Sequence, residues 1–254
     1  MTSAWRSLVH GGGLAAAADV AAGHQILEKI QLALLQAFQK HGAHALSVDE
    51  IAPIKALCDQ LLPAHCAQPQ SHVQHQTAAA RRKARRVRYQ HIWEDDKFSM
   101  GIFILPPGAS IPLHDHPEMS VVSRVLYGNL HVRACDIAIS APFTTELLPD
   151  HGNLHEFVAG DAMGCAIFDI LTPPYEPDDG RDCTYYRFVG DARATDGEDD
   201  DAAAVVALEV FDPEDFVVVS EPYLGPQLAP PAAMSTASSS SSVSSASSGG
   251  PASP

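Results

Sequence analysis

The chain has 254 residues, 46% of them hydrophobic, and a formal net charge of −15. That length suits one domain of ordinary size with tails, and the acidic balance argues against wholesale nucleic-acid binding. No run reaches the roughly 18 apolar residues of a membrane span. Five cysteines (Cys58, Cys66, Cys135, Cys165, Cys183) without a CxxC pair or a secretory signal point to free thiols in a reducing, intracellular setting.

Residues 1–23 are Ala/Gly-rich and nearly free of acid, and are expected to be disordered. Between His24 and Pro63 the pattern is helical. Leu27, Ile30, Leu34 and Phe38 recur at helical spacing. Ser47 followed by Glu50 forms a capping box that opens a second helix, with Ile51, Ile54, Leu57 and Leu61 on one face. Pro53 either kinks that helix or marks its true first turn. A Gln-rich linker (64–80) follows. The basic run Arg81 to Arg88 then holds six of the sixteen Lys and Arg residues. It reads as a nuclear-localisation patch, a steering surface or a solvated face.

From Val87 onward the texture changes to short strands with frequent turn signals, among them Pro106-Pro107-Gly108, Gly128-Asn129 and Pro173-Pro174. The segments VRYQHIW, FSMGIFIL, IPLHDH, VVSRVLYG, NLHVRACD, TTELL, HEFVAG, AIFDIL and TYYRFVG read as separate strands. A final VVVS at 217–220 is expected to close the barrel or jelly roll that such a series implies. The expected organisation is one mainly β domain over 24–224, with helices at 24–63, a barrel at 87–224 and an acidic insert at 191–201. The Ser/Ala/Pro-rich tail at 225–254 is too polar to offset its ordering entropy and is expected to be disordered.

His114 and His116 stand one residue apart in IPLHDH. In a strand, i and i+2 share a face, so the pair is either two cis metal ligands or two exposed histidines on a polar face. Context favours ligands. Gly108 precedes His114 in a G-x5-H-x-H pattern, and GNLH (Gly152 to His155) supplies a third histidine at the start of a later strand. These motifs resemble those of cupin barrels, double-stranded β-helix folds in which the two elements face each other across the barrel mouth. Most such cupins add a glutamate four or five residues after the second histidine, where this chain has Ser120 and Val121. Glu118 follows Pro117 at a turn and is not expected to share the strand geometry. A three-histidine site without carboxylate leaves iron(II) its full charge and about three open positions, which suits an anionic thiolate substrate and dioxygen.

Three blocks carry a longer resemblance: Phe98 to Asp136, GNLHEF (152–157) and AIFDILTPPYEPDDGRDCTYYR (166–187). They are similar to the plant cysteine oxidase and 2-aminoethanethiol dioxygenase family of thiol dioxygenases. The resemblance implies a non-haem iron(II) held by His114, His116 and His155. It implies addition of both atoms of dioxygen to a thiol, giving a sulfinic acid. In the plant members the thiol is the N-terminal cysteine of a protein, whose oxidation marks that protein for N-degron turnover and so reports oxygen. The implied partners are protein or peptide substrates with an N-terminal cysteine and O2, with no nucleic acid and no membrane. A monomer in the cytoplasm, the nucleus or both is expected.

Asp169 and Tyr175 match family positions near the metal and are the candidate catalytic residues. Asp169 would orient a substrate amine or a ligand histidine, or simply bind backbone. Tyr175 would line the substrate mouth or cap the Pro-Pro turn. Cys183 and Tyr185 resemble a Cys-x-Tyr element, read either as a thioether crosslink or, in preference, as a buried free cysteine beside an aromatic. Where plant members often read HPGM, this chain has Pro117-Glu118-Met119 after His116, placing an extra negative charge near the site. Cysteamine oxidation is the alternative activity, and a non-catalytic metal-binding cupin the rival of a different class.

Overall fold

A computed structural model describes residues 4–68, 86–133, 137–189 and 207–230. Most of the basic run, the whole acidic insert and the tail beyond Pro230 lie outside these residues.

Helix α1 (Ala4–His41) begins well before His24. The stretch 4–23, expected to be disordered, is therefore helical; its alanines are the strongest intrinsic helix formers. Leu27, Ile30 and Leu34 are fully buried, with Phe38 nearly so, as their spacing predicts. Helix α2 (Val48–Cys58) starts at the Ser47 cap. The Ser47 amide and hydroxyl both donate to Glu50 Oε2, at 3.0 and 2.7 Å. These bonds hold the Glu50 carboxyl down at about 2. Pro53 lies inside α2, one turn past its start, rather than at its first turn. The Ser47→Ala variant is expected to lose about 1 kcal/mol, read as a lower denaturant midpoint. The Glu50 part of that stability is present above the ordinary Glu pKa near 4.3 and lost as pH falls towards 2.

Eleven strands follow among the described residues: β1 (Val87–Glu94), β2 (Ser99–Leu105), β3 (Ser110–His114), β4 (Ser120–Arg133), β5 (Ile137–Ser140), β6 (Phe143–Leu147), β7 (His155–Ala159), β8 (Cys165–Thr172), β9 (Tyr186–Phe188), β10 (Leu208–Val210) and β11 (Val218–Ser220). The architecture is mainly β with two N-terminal helices. A curled sheet runs β11-β1-β2-β8-β4-β7-β3, with β5 and β6 also on β4, while β9 and β10 form a separate ribbon.

Two strand expectations are corrected. Gly128-Asn129 does not turn the chain back: VVSRVLYG and the NLHVR that opens the next expected strand fall in one fourteen-residue strand, β4. Its first part pairs with β6 and β8, and its last part with β5 and β7. A register shift between Val125 and Tyr127 and the left-handed φ of +82° at Gly128 bend the strand between them. The signal for a turn was real, but it serves a corner within a strand. Likewise, β11 does not pair with β3 to close the sheet; it adds in parallel to the outer edge of β1.

Strands β2 and β8 are buried on both faces. Met100, Ile102, Phe168 and Ile170 pack with Leu27, Ile30, Leu34 and Ile54 of the helices. The alternate residues of β8, Ile167, Asp169 and Leu171, face the inside of the curl. Fully burying each large apolar side chain stabilises by about 1.5–3 kcal/mol, so the helices and the sheet form one core.

The chain beyond β11 crosses back to this core. Tyr223 and Gly225 are buried, Leu228 packs against the helical cluster, and Gln31 Nε2 donates to Ala229 O at 3.4 Å. The first residues of the expected disordered tail, 225–230, are therefore packed.

Candidate metal centre

Strand β3 ends at His114, and His155 opens β7 directly opposite it in the antiparallel register. His116 lies past the strand, so its convergence with His114 does not come from strand alternation as the spacing suggested. Asn153 places it instead: Asn153 Oδ1 accepts from the His116 amide at 2.6 Å, and its Nδ2 donates to His116 O at 2.9 Å. The ligand-capable nitrogens of His114, His116 and His155 all lie within 4.8 Å of one another. Among the described residues they are the group able to hold a metal ion. Their exposures are only 6%, 6% and 1%.

The hydrogen bonds on the far side of each ring fix its tautomer. His114 Nδ1 donates to Pro112 O at 2.8 Å and His155 Nδ1 to Asn153 O at 3.1 Å, since a carbonyl can only accept. The Tyr175 hydroxyl donates to Asp115 O at 2.9 Å, so it accepts from His116 Nδ1 at 2.7 Å. All three rings thus keep a proton on Nδ1 and leave Nε2 with a free lone pair. Burial holds all three imidazoles neutral. It lowers His114, and together with the neighbouring histidines brings His116 to about 2 and His155 to about 3. Neutral, preoriented nitrogen donors are what a divalent transition metal requires.

A cavity of about 200 Å³ adjoins the cluster, its walls including Val121, Phe157, Leu171 and Tyr185. Asp169 reaches it from β8 and is 5% exposed. Asp169 Oδ1 has no hydrogen-bond partner among the described residues, and Ser123 lies beside Asp169 in the β4–β8 register. Burial pushes the Asp169 carboxyl up to about 7, with the Ser123 hydroxyl pulling the other way. Asp169 therefore orients none of the three histidines, whose Nδ1 partners are Pro112, Tyr175 and Asn153. Tyr175 both lines the cavity and seats His116, stacking on its ring at 5.4 Å between centroids. Cys183 is a free, half-buried thiol whose pKa burial raises, and it lines the cavity with Tyr185.

Glu118 is exposed and outside the histidine cluster. The Met119 amide donates to His116 O at 3.1 Å, with Pro117 at i+1 and Glu118 at i+2 with a φ of +55°, which is a type II turn. Glycine is the residue that turn favours. The Glu118→Gly variant is expected to gain about 0.5–1 kcal/mol in chemical denaturation.

The sequence pattern missed Asn153 and Asp115. Both lie inside the recognised motifs, as the N of GNLH and the D of HDH, but their partners are brought near only by the fold.

A curled β-sheet that gathers three neutral imidazoles at the wall of a largely apolar cavity defines a mainly β protein with a candidate metal site. A family model described as PCO_ADO matches residues 57–146 and 138–228. The chain belongs to this family and is a thiol dioxygenase by that membership. It is 35% identical over 187 residues to human 2-aminoethanethiol dioxygenase, covering 57% of this chain and 69% of that one. Plant cysteine oxidase 2 of Arabidopsis thaliana is 35% identical over 170 residues, covering 56% of this chain and 61% of that protein. Plant cysteine oxidase 1 is 40% identical over 122 residues, covering 39% of this chain and 41% of its own length. Similar solved structures include an RmlC-like cupin from Desulfovibrio desulfuricans, at 22% identity and a TM-score of 0.31, covering 42% of this chain and 99% of that one. Another is KdgF from Halomonas sp., at 15% identity and a TM-score of 0.32, covering 35% of this chain and 81% of that one. No helix among the described residues is long and apolar enough to cross a membrane.

Proposed function

We propose that the chain is an iron(II) thiol dioxygenase that converts the N-terminal cysteine of a protein or peptide to the sulfinic acid. On this reading it acts as a monomeric oxygen sensor upstream of N-degron proteolysis, in the cytoplasm, the nucleus or both. His114, His116 and His155 hold the iron; three neutral nitrogen donors with seated tautomers fit that ion. Bound there, iron(II) would supply open coordination positions for a thiolate and for dioxygen.

The carrying observation is Asp169. A buried carboxylate whose Oδ1 has no hydrogen-bond partner among the described residues, in the same cavity as the histidines, suits a substrate that brings its own cation. The ammonium of an N-terminal cysteine is that cation, one carbon from the carbon bearing the thiol. Asp169 binds the amine and thereby aims the sulfur at the histidine cluster. Val121, Phe157 and Leu171 exclude water around it, and Tyr175 holds His116 in its ligating tautomer. A cavity of about 200 Å³ takes one small residue rather than a folded segment. Cysteamine, with the same thiol and amine, is the alternative substrate.

The test incubates iron-loaded protein aerobically with Cys-initiated peptides and cysteamine, and follows mass. A gain of two oxygen atoms on the peptides supports the reading. Oxidation of cysteamine alone favours the small-thiol activity, and oxidation of no thiol favours a non-catalytic metal site.

The Asp169→Asn variant is expected to raise the KM for a Cys-initiated peptide about tenfold or more at pH 7.5, while hardly changing that for an amine-free thiol such as 3-mercaptopropanoate. In the wild type that KM should fall as pH rises through about 7, where Asp169 ionises. Stability runs the opposite way. A carboxyl raised from 3.8 to about 7 by folding contributes fully below pH 4 and loses its contribution as pH rises to 7. The metal-free Asn variant should therefore gain roughly 2–4 kcal/mol relative to wild type between pH 4 and 8.

A further inference from the structure

Asp115 stands between two of the histidines, and all four of its polar atoms are engaged across the cavity wall. Its amide donates to Thr184 O at 3.2 Å. Its Oδ1 accepts from the Thr184 amide at 2.9 Å, and its Oδ2 accepts from the Tyr186 hydroxyl at 2.8 Å. Its carbonyl accepts from the Tyr175 hydroxyl at 2.9 Å. The residues it grips alternate with the two that line the cavity, Cys183 and Tyr185.

Apart from the clasp, the segment is held by the Tyr185 ring, which lies against His114 and Phe216 at 6.1 and 5.6 Å between centroids, and by a few backbone contacts. Strand β9 begins only at Tyr186. Ahead of it, Tyr185 has a single bridge to His114 and accepts one bond, at 3.0 Å, from the Phe211 amide. A carboxylate suits the position because both donors need an acceptor and it offers two oxygens on a short stem. Asparagine keeps one acceptor, and alanine keeps neither.

The geometry points to Asp115 as a positioning residue for thiol oxidation: its carboxylate clasps segment 183–186 against the end of β3 and the turn after it, which carry His114 and His116, and so sets the wall that Cys183 and Tyr185 present to the thiol substrate. The substrate part of this assignment rests on the thiol dioxygenase reading above; the clasp itself does not.

Two measurements test it. In metal-free protein, alkylation of Cys183 by iodoacetamide, followed by peptide mass mapping, needs no turnover. Asp115→Ala should speed it by about tenfold or more, with Asp115→Asn between alanine and wild type. Cys58, Cys66 and Cys165, all buried, should stay unlabelled. Labelling of Cys183 at the wild-type rate overturns the clasp, and labelling of Cys58, Cys66 and Cys165 together with Cys183 shows a general structural role and overturns it too. In iron-loaded protein with a Cys-initiated peptide, Asp115→Ala should keep its metal and raise KM by a larger factor than it lowers kcat. An unchanged KM overturns the positioning role, whatever the alkylation shows. If Asp115→Ala does not fold, Tyr186→Phe removes one bond of the clasp and should give a smaller acceleration at Cys183; a wild-type rate there overturns the clasp.

Discussion

Replacing His155 by alanine is expected to remove metal retention and thiol oxidation together. The ring is 1% exposed, neutral, and held by Asn153 O with its lone pair turned to the other two histidines. No carboxylate lies in the cluster to compensate, so two imidazoles would remain for an ion that needs at least three protein ligands to be held firmly. Turnover should fall by more than the 10–100-fold typical of losing only a ligand's supporting hydrogen bond. Tyr175→Phe supplies that milder comparison: it keeps the stacked ring on His116 and deletes only the hydroxyl that fixes the tautomer. Metal analysis and oxygen uptake on the same preparations check both. An alanine variant that retains one iron per chain would contradict the assignment of His155.

The second large effect concerns the fold. A Cβ at Gly128 would lie 1.8 Å from Gly164 O and 2.8 Å from its carbonyl carbon, and the backbone there is left-handed. Both neighbours are backbone, so no side chain can swing aside. Gly128→Ala must therefore part β4 from the turn that leads into β8, disturbing the register that sets Ser123 beside Asp169. The expected loss is at least about 3–4 kcal/mol, seen as a fall in Tm of about 10 °C or more. A Tm within a degree or two of wild type would mean that β4 does not pass continuously through this corner.

Periodicity carried much of the fold into view. Leu27, Ile30, Leu34 and Phe38 mark a buried helical face, Ser47 and Glu50 mark a helix start, and the apolar runs of β2 and β8 mark strands. What local pattern conceals is where a strand goes next. Gly128-Asn129 has the chemistry of a turn, and only the pairing of β4 with four other strands makes it a corner. In the site, the three histidines were legible because a metal constrains residue type and spacing. Asp169 was legible only through its match to a family position within the FDIL stretch. Asn153 and Asp115 were not, because their partners lie 37 and 69–71 residues away and several are backbone groups without a sequence signature.

Strand β8 presses one face against the helices and turns the other to the cavity, with every residue buried. Its amides should therefore be among the slowest in the molecule to exchange with deuterium, opening only with the whole fold. The ribbon of β9 and β10 is largely exposed and pairs with nothing beyond itself in the main sheet, so its amides should exchange early. Asp169 thus sits on the part of the fold expected to persist longest, while the opposite wall is hung from a part expected to open early. Thiols can then enter and leave by local opening on one side, without loosening the strand that holds Asp169.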